Sequence, residues 1–319
     1  MEENKKKESI AICLNCYKIR FYEKNKKNNN EKKIESVFGT TSLPTIMARL
    51  IRNIENQKVF TNKEKDRILY LDKSLVNSEE NNVYVGIIMK GHNGPQTTID
   101  ELIENRLINI GTVHKDQFHC LPYLFLLYIN KNNPEDIIFI AQSYRQYGFK
   151  EVFEDCFRQF VNLESQDTTV KFNPLSIGKL FEKQVHEGFI NSIRFRKHGL
   201  EKNVEAIANG DKIPSQEYRM ELKIQSSQGF WGIKKNLSYD DTSFMEQVKI
   251  DGFDYTEAFA DIIIGNRKRS INITKPKEFV SAYDITNDIR INQETKLPVF
   301  EDIKEQAIDI LNNDLIPYL

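Results

Sequence analysis

Hydrophobic residues recur with two different periods along this chain, and the period predicts which segments are helices and which are strands. Apolar residues three and four positions apart mark one face of a helix. This spacing predicts helices over residues 43–54, 99–107, 149–161, 176–187 and 300–311. Ser176 is the expected N-cap of the fourth helix, and Gly188 is its expected end.

Alternating or continuously apolar runs predict the strands. Continuous apolar runs at 121–129 and 137–140 indicate strands at the centre of a sheet that is covered on both faces. Further strands are predicted over residues 9–22, 67–71, 83–89, 189–197, 217–225, 255–264 and 270–274. Helices interleaved with hairpins predict an α+β fold, with two mixed domains built on largely antiparallel sheets with covering helices.

The length of 319 residues is about twice that of an ordinary domain. The polar segment 163–169 is the best candidate for a linker, which predicts domains 1–168 and 169–319. A hydrophobic content of 39% excludes a wholly disordered chain. The sequence shows no secretion signal and no apolar run that could cross a bilayer as a helix, and its four cysteines are too sparse for a disulfide framework. We therefore expect a cytoplasmic protein without a membrane partner.

The charge pattern predicts a basic surface confined to the second half of the chain. The chain has 45 Lys+Arg and 46 Asp+Glu, a net charge of −1, so its total charge does not indicate nucleic-acid binding. The second half nevertheless carries basic residues on strands whose opposite faces are apolar, and a basic tip at 267–269 in a predicted hairpin turn. Such patches bind phosphates through counterion release. The candidate nucleic-acid-binding residues are Arg194, Arg196, Arg219, Trp231, Lys234, Lys235, Arg267, Lys268 and Arg269, with Trp231 as a stacking surface for a base.

The alternative for these basic residues is an ordinary solvated face. Carboxylates such as Glu217, Glu221 and Glu257 are close in sequence or on neighbouring predicted strands, and they would neutralise the arginines and lysines.

A possible metal site lies in the same region. Asp211 precedes Glu221 and Lys223, and the alternation of a strand places the latter two on one side. Two carboxylates can hold Mg²⁺ or Mn²⁺, and a lysine can stabilise charge on a phosphate under attack. This arrangement resembles the catalytic core of PD-(D/E)xK nucleases, although Gly210 replaces the proline of the usual Pro-Asp. The alternative is a cross-strand ion-pair face, and no other cofactor is predicted.

Cysteines and histidines offer a weaker metal hypothesis. Cys13 and Cys16, together with His114, His119 and Cys120, are ligand types that zinc prefers. The segment around the first two is strand-like, however, so these cysteines would face opposite sides. The sequence also has no nucleophile elbow and no phosphate-binding glycine loop.

One family resemblance is carried by two segments, EGFINSIRFRKHG at 187–199 and YTEAFADIIIGNRKRSINI at 255–273. They resemble the carboxyl-terminal half of uncharacterised bacterial proteins found among phage-defence genes. The resemblance implies a role in antiviral defence, with nucleic acid or a protein partner of a defence complex as the target, and it implies no reaction.

The leading hypothesis is therefore a cytosolic protein that binds nucleic acid, or a nucleic-acid-bound partner, through a basic face of its second half. The first alternative is a metal-dependent nuclease that uses Asp211, Glu221 and Lys223. The second alternative is a structural subunit of a protein complex or a homo-oligomer, with apolar surfaces such as 121–129 used for assembly.

Overall fold

A computed structural model describes residues 10–24, 30–72, 77–79, 82–130, 134–145, 147–198, 219–230, 248–264, 267–275 and 282–319. The chain forms two compact units. One consists of Cys16–Asn173, and the other consists of Pro174–Leu319 with the described residues that precede Cys16. The fold is α+β, with largely antiparallel sheets and a few helices, as the sequence predicts.

The described residues contain strands of two to twelve residues and five α-helices. The strands are β1 Ile12–Glu23, β2 Glu31–Lys32, β3 Phe60–Thr61, β4 Arg67–Leu71, β5 Asn77–Glu79, β6 Val83–His92, β7 Thr97–Ile103, β8 Arg106–Val113, β9 His119–Ile129, β10 Ile137–Tyr144, β11 Tyr147–Gly148, β12 Thr168–Pro174, β13 Phe189–His198, β14 Arg219–Gln225, β15 Glu257–Ile264, β16 Arg267–Asn272 and β17 Ala282–Asp284. The helices are α1 Ile34–Phe38, α2 Leu43–Asn56, α3 Lys150–Glu164, α4 Gly178–Glu187 and α5 Phe300–Asp309, which continues as a π-helix over Ile310–Leu315 and a 3₁₀ turn over Ile316–Tyr318.

The Cys16–Asn173 unit is built on a sheet with the strand order β12-β1-β10-β9-β6-β4-β3. Its central strands β9 and β10 pair antiparallel, with Leu126 opposite Ile140. Residues on both faces of these two strands are buried, which confirms the prediction from their continuous apolar runs.

Helices cover one face of this sheet. α2 contacts β4, β6 and β9, and α3 contacts β4 and α2. The predicted apolar stripes of both helices are buried, and the core between helices and sheet is rich in phenylalanine. Phe139 of β10 stacks on Phe153 of α3 with ring centroids 4.9 Å apart. Such offset aromatic pairs fix the helix on the sheet more specifically than aliphatic contacts do.

The second unit contains a four-stranded sheet with the order β14-β13-β15-β16, in which every pair is antiparallel. One face of the sheet buries Ile193, Phe195, Ala260 and Ile262, and α4 contacts β15. The other face carries Arg194, Arg196, Glu221 and Lys223, which are among the charged residues that the sequence singled out. In the same unit, β17 pairs with Cys13–Asn15 of β1.

The segment 163–169 is not a linker. α3 continues through Glu164, and β12 begins at Thr168, which is buried. The Asp167 carboxylate accepts a hydrogen bond of 2.8 Å from Ser165 and forms an ion pair of 2.7 Å with Lys32. The polarity of this segment therefore reflects a hydrogen-bonded turn inside the Cys16–Asn173 unit.

Two local predictions are also wrong. The N-cap of α4 is Ile177, one residue after Ser176, although Gly188 ends the helix as expected. The predicted helix near 99–107 is instead a β-hairpin made of β7 and β8. Within the described ranges, no helix is both long enough and apolar enough to cross a membrane.

Candidate functional site

Charged residues of three neighbouring strands share one face of the four-stranded sheet. Residues directly opposite each other on paired strands point to the same side. β13 pairs with β14 on one edge and with β15 on the other. We call the resulting surface the polar face, and it consists of Ser192, Arg194, Arg196, Glu221, Lys223, Glu257, Phe259 and Asp261.

Arg194 is held mainly by a buried carboxylate. Its Nη2 lies 3.0 Å from Asp261 Oδ1, and its Nη1 lies 4.0 Å from a carboxylate oxygen of Glu221. Asp261 is only 3% exposed and also accepts a hydrogen bond of 2.7 Å from Ser192 Oγ. Arg194 Nη2 donates a further hydrogen bond to Ser270. A buried carboxylate needs a cation and hydrogen bonds, so these contacts stabilise the folded sheet.

Arg196 lies between two further carboxylates. Its Nη2 is 3.2 Å from Glu221 Oε2, and its Nη1 is 3.6 Å from Glu257 Oε2. Its guanidinium carbon lies 4.4 Å from the centroid of the Phe259 ring, within the range of a cation–π contact. The ring and the carboxylates together fix Arg196 in one position on the sheet.

The described charges of the polar face balance. Its cations are Arg194, Arg196 and Lys223, and its anions are Glu221, Glu257 and Asp261. Lys223 forms no ion pair with any described side chain, whereas both arginines are paired. A nucleic-acid phosphate would therefore compete with protein carboxylates for the arginines, and this geometry corresponds to the cross-strand ion-pair alternative.

The three basic residues expected at a hairpin tip lie within β16 instead. Arg267, Lys268 and Arg269 pair with consecutive residues of β15, from Ile264 back to Ile262. Alternate positions of a strand belong to opposite faces, so these three residues cannot all belong to the polar face. The sequence placed them in a turn because Gly265 and Asn266 are turn-forming residues.

The remaining candidates for nucleic-acid binding are only partly placed. The backbone of Arg219 lies in β14, opposite His198. Trp231, Lys234 and Lys235 lie outside the described residues.

The nuclease hypothesis has one residue pair in the expected place. Glu221 and Lys223 lie two residues apart on β14 and share the polar face, as predicted, but Asp211 lies outside the described residues. Glu221 is paired with Arg194 and Arg196, so a divalent cation would have to displace two guanidinium groups. Among the described side chains, no group of three His, Cys, Asp or Glu residues is arranged to hold a metal.

The cysteines of β1 are poor metal ligands where they lie. The predicted strand through Cys13 and Cys16 is confirmed, and Cys16 is buried. Burial, with a smaller contribution from Asp284, raises the pKa of Cys13 to about 11. Cys13 and Cys16 are also three residues apart on one strand, so they belong to opposite faces and are not placed to share a metal ion.

The most exposed apolar surface lies on the hairpin that the sequence did not predict. We call residues 97–113, which comprise β7, β8 and their turn, the arm. Glu104 and Asn105 both have positive φ, 48° and 62°, which is the backbone of a two-residue type I′ turn. Neither strand pairs with any other described strand.

Large apolar side chains of the arm face solvent. Fifteen large hydrophobic residues are exposed in the described chain, and six of them lie in this one hairpin. They are Ile99, Leu102, Ile103, Leu107, Ile108 and Ile110, of which Leu107 is 73% exposed and Leu102 is 66% exposed. Single exposed apolar residues are ordinary, but a cluster of this kind marks an interaction surface.

The cross-strand register gives the arm two different faces. One carries the facing pair Leu102 and Leu107. The other carries Ile99, Glu101, Ile103, Arg106 and Ile108, and we call it the isoleucine face. A register shift follows Ile99, where Ile110 is the extra residue of a bulge in β8.

Sequence reasoning missed the arm because four of its apolar residues also fit a helix. Ile99, Leu102, Ile103 and Leu107 are spaced by three, one and four positions. The signal that favours a hairpin is Asn105, which tolerates positive φ, between two runs rich in isoleucine.

Most of the apolar run 121–129, expected to serve assembly, is not available as a surface. Residues Tyr123–Ile129 are all buried in β9.

Comparison with known proteins identifies no relative of this chain. No protein-family model matches the chain, and no curated protein sequence is significantly similar to it.

Proposed function

We propose that this protein is a binding component of a protein assembly and that it docks to another protein surface through the arm. The observation that carries the proposal is the cluster of six exposed large apolar residues in one hairpin. An isolated two-stranded hairpin is marginally stable in water, and exposed apolar residues on it add a cost that a partner surface removes. This is the structural-subunit hypothesis, with the arm in place of residues 121–129.

The edges of the arm support the same proposal. Proteins commonly protect free strand edges with proline, lysine or a covering element. β7 and β8 contain no proline and no lysine, and no described strand or helix covers their outer edges, which are protected by the bulge in β8 and by the charged residues Asp100, Glu101 and Arg106. Free edges and apolar side chains are the two features by which β-strands recognise protein partners.

Site-specific photo-cross-linking tests the proposal. A photoreactive amino acid replaces Ile108 in the full chain expressed in its own cells, and the matched control carries the same residue at Leu163. Leu163 lies on α3 and is 69% exposed, whereas Ile108 is 46% exposed, so the control side chain is at least as accessible as the probe. We expect a discrete protein adduct from the arm and none from α3.

A second substitution checks that this adduct reports docking. Ile103→Asp places a charge on the same face of the arm as Ile108 and should abolish the adduct, because a charge in an apolar contact is strongly unfavourable. The absence of any adduct at Ile108, or equal adducts at both positions, would rule the proposal out.

The other hypotheses stay predictions. Nucleic-acid binding by the polar face has less support than docking by the arm, because carboxylates of the same face pair with both arginines. The metal-dependent nuclease depends on Asp211, whose position is outside the described residues. The cytoplasmic location and the role in antiviral defence rest on the sequence alone.

A further inference from the structure

Two opposite charges on the isoleucine face have no partner within the described chain. Glu101 and Arg106 lie on adjacent strands, one row apart, since Glu101 pairs with Ile108 and Arg106 pairs with Ile103. They form no described ion pair with each other or with another residue, although both are exposed. An apolar surface with one unpaired acid and one unpaired base can complement a copy of itself.

The register defines how two copies would fit. A two-fold axis that runs along the arm, between two stacked isoleucine faces, places β8 of one copy over β7 of the other. Arg106 of one copy then lies over Ile103 of the other and beside its Glu101. Because the axis is two-fold, the same ion pair forms twice, and the isoleucines of both copies are buried between them.

We infer that a second copy of this chain covers the isoleucine face, with Glu101 of each copy paired to Arg106 of the other. The inference rests on the proposed docking function and names its partner. The outer edge of β7 is a poorer symmetric contact, because a two-fold axis near its middle would bring Asp100 and Glu101 of two copies together. The isoleucine face avoids this repulsion.

The small size of the contact limits how tightly two copies can bind. A stable dimer buries about 800 Å² on each partner. One hairpin face is smaller than this, so the arm alone predicts a dimer of micromolar affinity, in which two ion pairs contribute a measurable part.

A charge-swap experiment on the full chain tests the inference by analytical ultracentrifugation. The wild type should form dimers at micromolar concentrations. Glu101→Arg makes both charges of the isoleucine face positive, and Arg106→Glu makes both negative, so each variant alone should dimerise at least about tenfold more weakly. An equimolar mixture of the two variants should dimerise again, because the two positive charges of one chain then meet the two negative charges of the other.

Only a contact between chains predicts recovery on mixing. Thr112→Arg is the control, since it adds a charge on the other face of the arm and should leave dimerisation unchanged. Thermal unfolding followed by circular dichroism verifies that each variant is folded. A monomeric wild type at these concentrations, or a mixture no more dimeric than either variant, overturns the inference.

The two proposals can fail separately. A monomeric wild type whose Ile108 position cross-links to a different protein would overturn the second-copy inference and leave the docking function in place. A monomeric wild type without any adduct would overturn both.

Discussion

Asp261 is the residue on which the order of the polar face depends. Its carboxylate accepts a hydrogen bond from Ser192 and pairs with Arg194; Ser192 and Asp261 are buried, and Arg194 is half-buried. Asp261→Ala would leave a hydroxyl and a guanidinium without their acceptor. We expect the free energy of unfolding, measured with urea, to fall by about 2–4 kcal/mol.

The matched control for this prediction is Lys223→Ala on the same face. Lys223 is exposed and forms no described ion pair, so its replacement should change the free energy of unfolding by less than about 0.5 kcal/mol. Equal effects of the two substitutions would show that the buried ion pair does not stabilise the sheet.

A second residue gives a pH-dependent prediction. Hydrogen bonds from the Arg290 side chain, and one from its backbone N–H, lower the pKa of Asp302 to about 2. An unfolded aspartate has a pKa of about 3.9, so the contact stabilises the fold fully above about pH 4 and is lost as the pH falls towards 2. Asp302→Asn should therefore lose less stability than the wild type over this interval, when urea midpoints are compared. Parallel curves for the two proteins would contradict the assignment.

The turn of the arm leads to a prediction about the stability of a single element, the β7–β8 hairpin. Asn105 has a φ of 62°, and a β-branched residue there costs about 1–2 kcal/mol. Asn105→Val should speed amide hydrogen exchange in residues 97–113 about tenfold, whereas Asn105→Gly should slow it or leave it unchanged. Because the arm is almost wholly exposed, the thermal midpoint of the chain should stay the same. Identical exchange in all three proteins would mean that this turn does not control the hairpin.

Elements differ in how far the sequence predicts them, and the reason is the number of consistent signals. The helix α2 combines an apolar stripe with Pro44 in its first turn, and β9 is a long apolar run. The sequence pattern of each is therefore typical of only one type of secondary structure. The arm has both the residue spacing of a helix and the composition of strands, and only its turn residues favour the hairpin. Its exposed apolar residues also contradict the usual rule that periodic hydrophobic residues are buried, which is why the candidate docking surface was missed.

The polar face shows a different limit of sequence reasoning. Alternation on β13 and β14 correctly predicts that Arg194, Arg196, Glu221 and Lys223 lie on one face. The partner on the far side, β15, brings Glu257 and Asp261 from about sixty residues away. Strand order sets this neighbourhood, so the sequence gives neutralisation only as an alternative and does not single out Asp261 as a partner of Arg194.

At the scale of the molecule, long-range pairing decides which segments belong together. The sequence predicts a division at residue 168 from local polarity alone. In the structure, Cys13–Asn15 pair with β17, some 270 residues further along the chain, and the described residues before Cys16 group with Pro174–Leu319. A contact over this distance leaves no trace in the composition of either segment.

The charge balance of the whole molecule gives the prediction that separates nucleic-acid binding from docking. The net charge is −1, and carboxylates on the polar face pair with both of its arginines, so we expect the wild type to bind DNA and RNA only weakly, with a Kd above about 10⁻⁶ M at physiological salt. Glu221→Gln with Glu257→Gln frees Arg196 and should tighten binding, with a steeper dependence on salt. Glu35→Gln with Glu135→Gln makes the same change of charge in the other unit and should have little effect. Tight, salt-sensitive binding by the wild type that is lost in Arg196→Ala would instead establish the basic-face hypothesis, because it would show that phosphates displace Glu221 and Glu257 from the arginine.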